Sequence, residues 1–116
     1  MLQRERGTII FAGATASLRG SANFAAFAGA RHALRALAQN IARELGPKGI
    51  HVGHVVIDGA IDTDFIRRNF PDRYAMKVQD GILNLAHVAD NYWHLHRQPR
   101  DAWIFELDLR PWNERW

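Results

Sequence analysis

A chain of 116 residues, 47% of them apolar and 23% charged, is long enough for one small folded domain and too hydrophobic for a disordered tail. It contains no cysteine, which excludes a disulfide framework and a thiolate metal site and is compatible with a reducing cytoplasm. The net charge of +3 rests on arginines that outnumber lysines 13 to 2 but are dispersed, which argues against a nucleic-acid footprint.

The first ten residues, MLQRERGTII, place charges where a signal peptide needs an apolar core. No later apolar run is long enough to cross a bilayer, so a cytoplasmic protein without membrane contact is expected. Residues 8–14, TIIFAGA, form a continuous apolar run opened by glycine, the pattern of a parallel strand covered on both faces. After a polar loop, Phe27, Ala30, Leu34, Leu37, Ile41 and Leu45 recur at helical spacing until Gly46 and Pro47 stop the helix. Within it, FAAFAGARHAL is so rich in small apolar residues that burial on more than one side is expected, and Arg31 then needs a partner.

Residues 50–57, IHVGHVVI, predict a second strand, so strand, helix and strand make a right-handed crossover between parallel strands. Asp62 or Thr63 can cap a short helix that runs to Asn69 and stops at Pro71, and DRYAMKVQDG then reads as irregular surface chain, a candidate lid. Leu85, Val88, Tyr92 and Leu95 predict a further helix closed before Pro99, and residues 102–109, AWIFELDL, a third strand. The fold class is α/β: a partial Rossmann-like, doubly wound parallel sheet, its last three strands with covering helices, in a single domain over residues 1–116. A strand buried on both faces so close to Met1 needs neighbours, supplied either by another copy or by the upstream part of a longer protein.

Several familiar chemistries fail on spacing. Between Gly13 and Gly20 the positions that a dinucleotide fingerprint needs as glycine are Ser17 and Arg19. Among six histidines, His51 and His54 fall on opposite faces of a strand, and His94 and His96 point to different sides of a helix, so no metal site is expected. Ser17 and Ser21 lack the glycine pattern of a nucleophile elbow. RQPRDAW and RPWNERW interleave arginine with tryptophan, and a tail that packs its tryptophans and solvates its arginines explains them better than base stacking does.

A strand ending in small residues, a loop, an alanine-rich helix, a strand and then Asp58-Gly-Ala-Ile-Asp-Thr63 resemble the C-terminal half of a short-chain dehydrogenase/reductase, from Gly7 onward. In that family the helix carries Tyr-x-x-x-Lys, a serine closes the preceding strand, and the second strand ends in Pro-Gly-x-x-x-Thr. On this frame Ala14 holds the serine position, Phe27 the tyrosine position, Arg31 the lysine position, and Asp58 replaces the proline, whereas Gly59 and Thr63 agree. The resemblance implies NAD or NADP as cofactor and a small carbonyl or alcohol as substrate. Arg31, Gly59 and Thr63 are then the cofactor contacts, Arg31 gripping ribose or phosphate oxygens with its fork of donors. Phenylalanine has no proton to give, so Ala14, Phe27 and Arg31 mark catalytic positions whose chemistry is lost or altered. Thr15, Ser17, Asp58 and Asp62 are loop residues that the fold would gather at the strand ends, without the spacing of a known acid. The alternative is a non-catalytic nucleotide-binding or oligomerisation protein on the same scaffold. On either reading Ala26, Ala30 and Ala33 allow close approach of a twin helix, and a homo-oligomer is expected.

Overall fold

The computed structural model describes residues 1–115. Three parallel strands, β1 (Gly7–Ala14), β2 (Ile50–Ile57) and β3 (Glu106–Leu109), form one sheet in the order β1-β2-β3. The register pairs Gly7 with Ile50 through to Ala14 with Ile57, and His54 with Glu106 through to Ile57 with Leu109. The long helix α1 (Ala25–Leu45) connects β1 to β2; α2 (Asp64–Asn69), α3 (Pro71–Ala75) and α4 (Leu85–Arg97) lie between β2 and β3. Parallel strands joined by helical crossovers are the predicted partial Rossmann-like architecture.

Local chemistry sets the boundaries. Gly46 caps α1 and Gly49, at φ 84°, turns the chain into β2. Thr63 caps α2, its hydroxyl oxygen accepting the Ile66 N–H at 3.3 Å. Asn84 does the same for α4, accepting the N–H groups of Ala86 and His87 at 2.8 and 3.3 Å. The core lies around β2, where Ile50, Val52, Val55 and Val56 are buried together with Ala38 of α1 and Leu95 of α4.

Four expectations need correction. The segment DRYAMKVQDG is helical, with Pro71 opening α3 and a 3₁₀ turn over Met76–Gln79; proline at a first helical position gives up an N–H that has no acceptor there. The third strand is four residues long, because the groups before it pair with side chains: Gln98 Oε1 accepts the Ile104 N–H at 2.9 Å and His51 Nε2 donates to the Ile104 carbonyl at 2.8 Å. β1 is mostly half-buried on its faces, with Gly13 alone fully buried, and among the described residues its outer edge pairs with no strand. Helix α1 buries only Ala28 and Ala38 fully, while Phe24, Phe27 and Leu37 are about half exposed. Its inward stripe is rotated from the one that hydropathy picks out: alanines bring the backbone close to the sheet, and Arg35 faces inward on a carboxylate.

Candidate active site

At the carboxyl ends of β1 and β2 a cavity of about 300 Å³ opens between the strand ends and the start of α1. Ala14, Ile57, Phe24 and Phe27 give it apolar walls; Thr15 and Arg19 give it polar ones. The chain can turn there because residue 13 is glycine: a Cβ at that position would collide with His54 Nε2 and Ser17 Oγ. Ser17 is fully buried beneath the turn, its Oγ accepting the Ala14 N–H at 3.0 Å. The first residue after β1 is thereby held against the first residue after β2.

That second residue is Asp58, only 2% exposed. Thr15 Oγ1 donates to Asp58 Oδ1 at 2.5 Å. The Arg19 guanidinium lies 3.6 Å from the same oxygen, and the Asp58 N–H donates to the Leu109 carbonyl at 2.8 Å. Thr15 lines the cavity and Asp58 stands behind it, so a carboxylate shielded from water communicates with the cavity through one hydroxyl.

The residues singled out in the sequence divide into two groups. Ala14, Phe27 and Gly59 share the cavity wall. Arg31 lies one helical turn from Phe27 with its guanidinium 5.2 Å from the ring centroid, and Nη1 donates to the Ala12 carbonyl at 3.3 Å. The partner that Arg31 needs is therefore a backbone oxygen and an aromatic face. Thr63 caps α2 and stands outside the wall, and Asp62 pairs with Lys77 at 2.9 Å. Gly59 has a sufficient structural reason for being glycine: φ is 147°, and a Cβ would lie 2.8 Å from Pro111 Cδ. The wall also includes Arg73, from the segment read as a lid, which is paired with Glu114 at 3.3 Å.

The Thr15–Asp58 pair was missed as a pair, although the signal was present. Once β1 and β2 run parallel with Ala14 opposite Ile57, the next residue of each strand falls beside the other. A second polar cluster, around the buried His54, was missed for want of a register for β3. Arg35 donates through Nε and Nη2 to Glu106 at 2.7 and 2.9 Å, and His54 Nδ1 lies 2.9 Å from Glu106 Oε2. A carboxylate only accepts, so Nδ1 carries the ring proton. The Arg35 guanidinium, helped by His54 and against the cost of burial, holds the Glu106 carboxyl below its ordinary 4.5.

Comparison with known proteins shows the family of the chain. The profile described as short chain dehydrogenase matches residues 1–74. A crystal structure of a short-chain dehydrogenase from Rhodopseudomonas palustris is 45% identical to this chain over 97% of its length, with a TM-score of 0.70. This chain belongs to the short-chain dehydrogenase family. The fold alone is shared with the closed form of a serine dehydrogenase complexed with NADP+, at 22% identity and a TM-score of 0.80 over 100% of this chain. It is shared too with a 7α-hydroxysteroid dehydrogenase complexed with NADH and 7-oxo glycochenodeoxycholic acid, at 23% identity and a TM-score of 0.76 over 95% of this chain. No curated protein matches it. The chain spans 42%, 48% and 45% of these three structures, less than half of each. Ala14 and Phe27 share one wall of the cavity, and the Arg31 guanidinium lies against the Phe27 ring. Among the described residues no helix is long and apolar enough to cross a membrane.

Proposed function

We propose that residues 1–116 are the C-terminal part of an NAD(P)-dependent cytoplasmic oxidoreductase that interconverts a small alcohol and its carbonyl. The observation that carries this reading is the convergence of Ala14, Phe27 and Gly59 on one cavity at the carboxyl ends of parallel strands, where open α/β sheets bind their ligands. The cofactor, when bound, supplies or accepts the hydride. The residues present fit its reactive end: the cavity offers apolar walls to a flat ring, and Arg31, outside the lining but against the Phe27 ring, has donors beyond the one given to Ala12. Gly59 lets the chain pass close by, and the hydroxyl proton of Thr63 is not used by its cap.

Proton transfer falls to Thr15 and Asp58, since Phe27 has no exchangeable proton. In alcohol oxidation Thr15 Oγ1 takes the substrate hydroxyl proton as it passes its own to Asp58, and carbonyl reduction runs the same two transfers backwards. Arg19 balances the charge on Asp58. The exposed Ala26, Ala30 and Ala33, with the half-exposed Leu37, support a homo-oligomer formed on α1.

The test is to titrate NADPH and NADH into the protein extended upstream in its gene, and to screen that form against aldehydes and ketones. Saturable cofactor binding with carbonyl-dependent oxidation of the cofactor is expected. Binding without turnover on any carbonyl would favour the non-catalytic reading of the scaffold.

A further inference from the structure

A second cavity, of about 430 Å³, lies at the opposite, amino end of the strands. Its lining includes Arg4, Arg6 and Arg100 with His96, Thr8 and Trp103, and no carboxylate. Three guanidiniums around one hollow repel one another, and folded chains ordinarily relieve this with acidic neighbours, as Arg19, Arg35, Arg67, Arg73 and Arg110 do elsewhere in this protein. Among the described residues the guanidiniums of Arg4 and Arg6 have no ion pair or hydrogen-bond partner, while their backbone N–H groups donate to the Met1 carbonyl. Arg100 is anchored by donating from Nη2 to the Glu5 carbonyl, across Gly49, where a side chain would displace it.

The other walls are built rather than incidental. Thr8 Oγ1 and His96 Nδ1 are 2.9 Å apart, and a threonine donating to Nδ1 leaves the other ring nitrogen to donate outward. Trp103 is stacked on the buried His51, with ring centroids 4.7 Å apart and planes 5° from parallel. The RQPRDAW stretch thus folds so that Arg100 and Trp103 face one hollow, whereas Arg97 lies over the Trp93 ring at 5.9 Å.

We infer that this amino-edge cavity binds a small molecule carrying two or more phosphoryl charges. Guanidinium forks match phosphoryl oxygens two at a time, and the fixed Arg100 with the adaptable Arg4 and Arg6 would embrace a pyrophosphate-sized group. The site is separate from the redox reading, which concerns the other end of the same strands.

Isothermal titration of the purified chain with pyrophosphate, and in parallel with inorganic phosphate, tests the inference. Pyrophosphate is expected to bind saturably and at least about tenfold tighter than phosphate, with affinity falling as salt rises. The double substitution Arg4→Ala with Arg6→Ala removes no ion pair or side-chain hydrogen bond of the described residues and should weaken binding about tenfold or more; Arg68→Ala, an exposed arginine outside the cavity, should not. Three results overturn the inference: no saturation by about 10 mM pyrophosphate, weakening by Arg31→Ala in place of the Arg4 and Arg6 pair, or displacement of pyrophosphate by a single-stranded oligonucleotide bound more tightly.

Discussion

Strand β2 carries two buried polar clusters, and they differ in what they leave unused. In the middle of the strand, Glu106 takes both arms of Arg35 and the ring of His54, and nothing in that group faces a cavity of the carboxyl edge. At its end, Asp58 takes one hydroxyl and one distant guanidinium, and Thr15 presents that hydroxyl to an open hollow. Three hydrogen bonds to Glu106 tie α1, β2 and β3 together, whereas Asp58, with one hydroxyl beside a cavity, leaves capacity for a ligand. On the proposed function the first cluster serves the fold and the second the chemistry.

The sharpest way to break this contrast is to remove charge from each cluster in turn. In the upstream-extended protein, Asp58→Asn should lower kcat/KM for carbonyl reduction at least about 100-fold with little change in the unfolding midpoint. Glu106→Ala should do the reverse. It strips Arg35 of its partner and leaves fully buried His54 with neither ring nitrogen paired, for a loss of about 2–3 kcal/mol in urea unfolding. The figure is set below that of a fully buried pair because the Arg35 side chain is 37% exposed.

The pH dependence follows from the same carboxylate. The folded state holds the Glu106 carboxyl below its unfolded value, so its stabilisation is complete above about pH 4.5 and is lost as pH falls through the lower folded value. Urea midpoints from pH 6 down to about pH 3 should therefore fall less steeply in Glu106→Gln than in the parent chain. Smaller effects separate fold from site at the two positions that match the family pattern. Gly59→Ala should cost about 1–3 kcal/mol, from its left-handed backbone and the Pro111 contact. Thr63→Ala should cost about 1 kcal/mol as a lost cap, and an additional loss of NADPH affinity would show that it also reaches the cofactor.

Much of this was legible in the sequence, and the failures have physical causes. The strands of residues 8–14 and 50–57 and the helix between them were readable because parallel strands and long helices impose strong periodicities. The inward stripe of α1 was not, since hydropathy ranks Phe27 and Leu37 above alanine, while packing distance favours Ala28 and Ala38 against the sheet. The helical character of residues 71–79 was hidden by proline, which opens a helix as readily as it stops one. At the candidate site the family frame singled out Ala14 and Phe27, but the pairing of Thr15 with Asp58 needed a strand register that no local pattern supplies.

The central claim is that proton transfer here belongs to Thr15 and Asp58, with Phe27 only a wall. It is tested most directly by measuring kcat/KM for NADPH-dependent carbonyl reduction in the upstream-extended protein carrying Thr15→Val or, separately, Phe27→Ala. A fall of about 100-fold or more with Thr15→Val, against less than about tenfold with Phe27→Ala, is the result this account predicts. Unchanged turnover in Thr15→Val would contradict it.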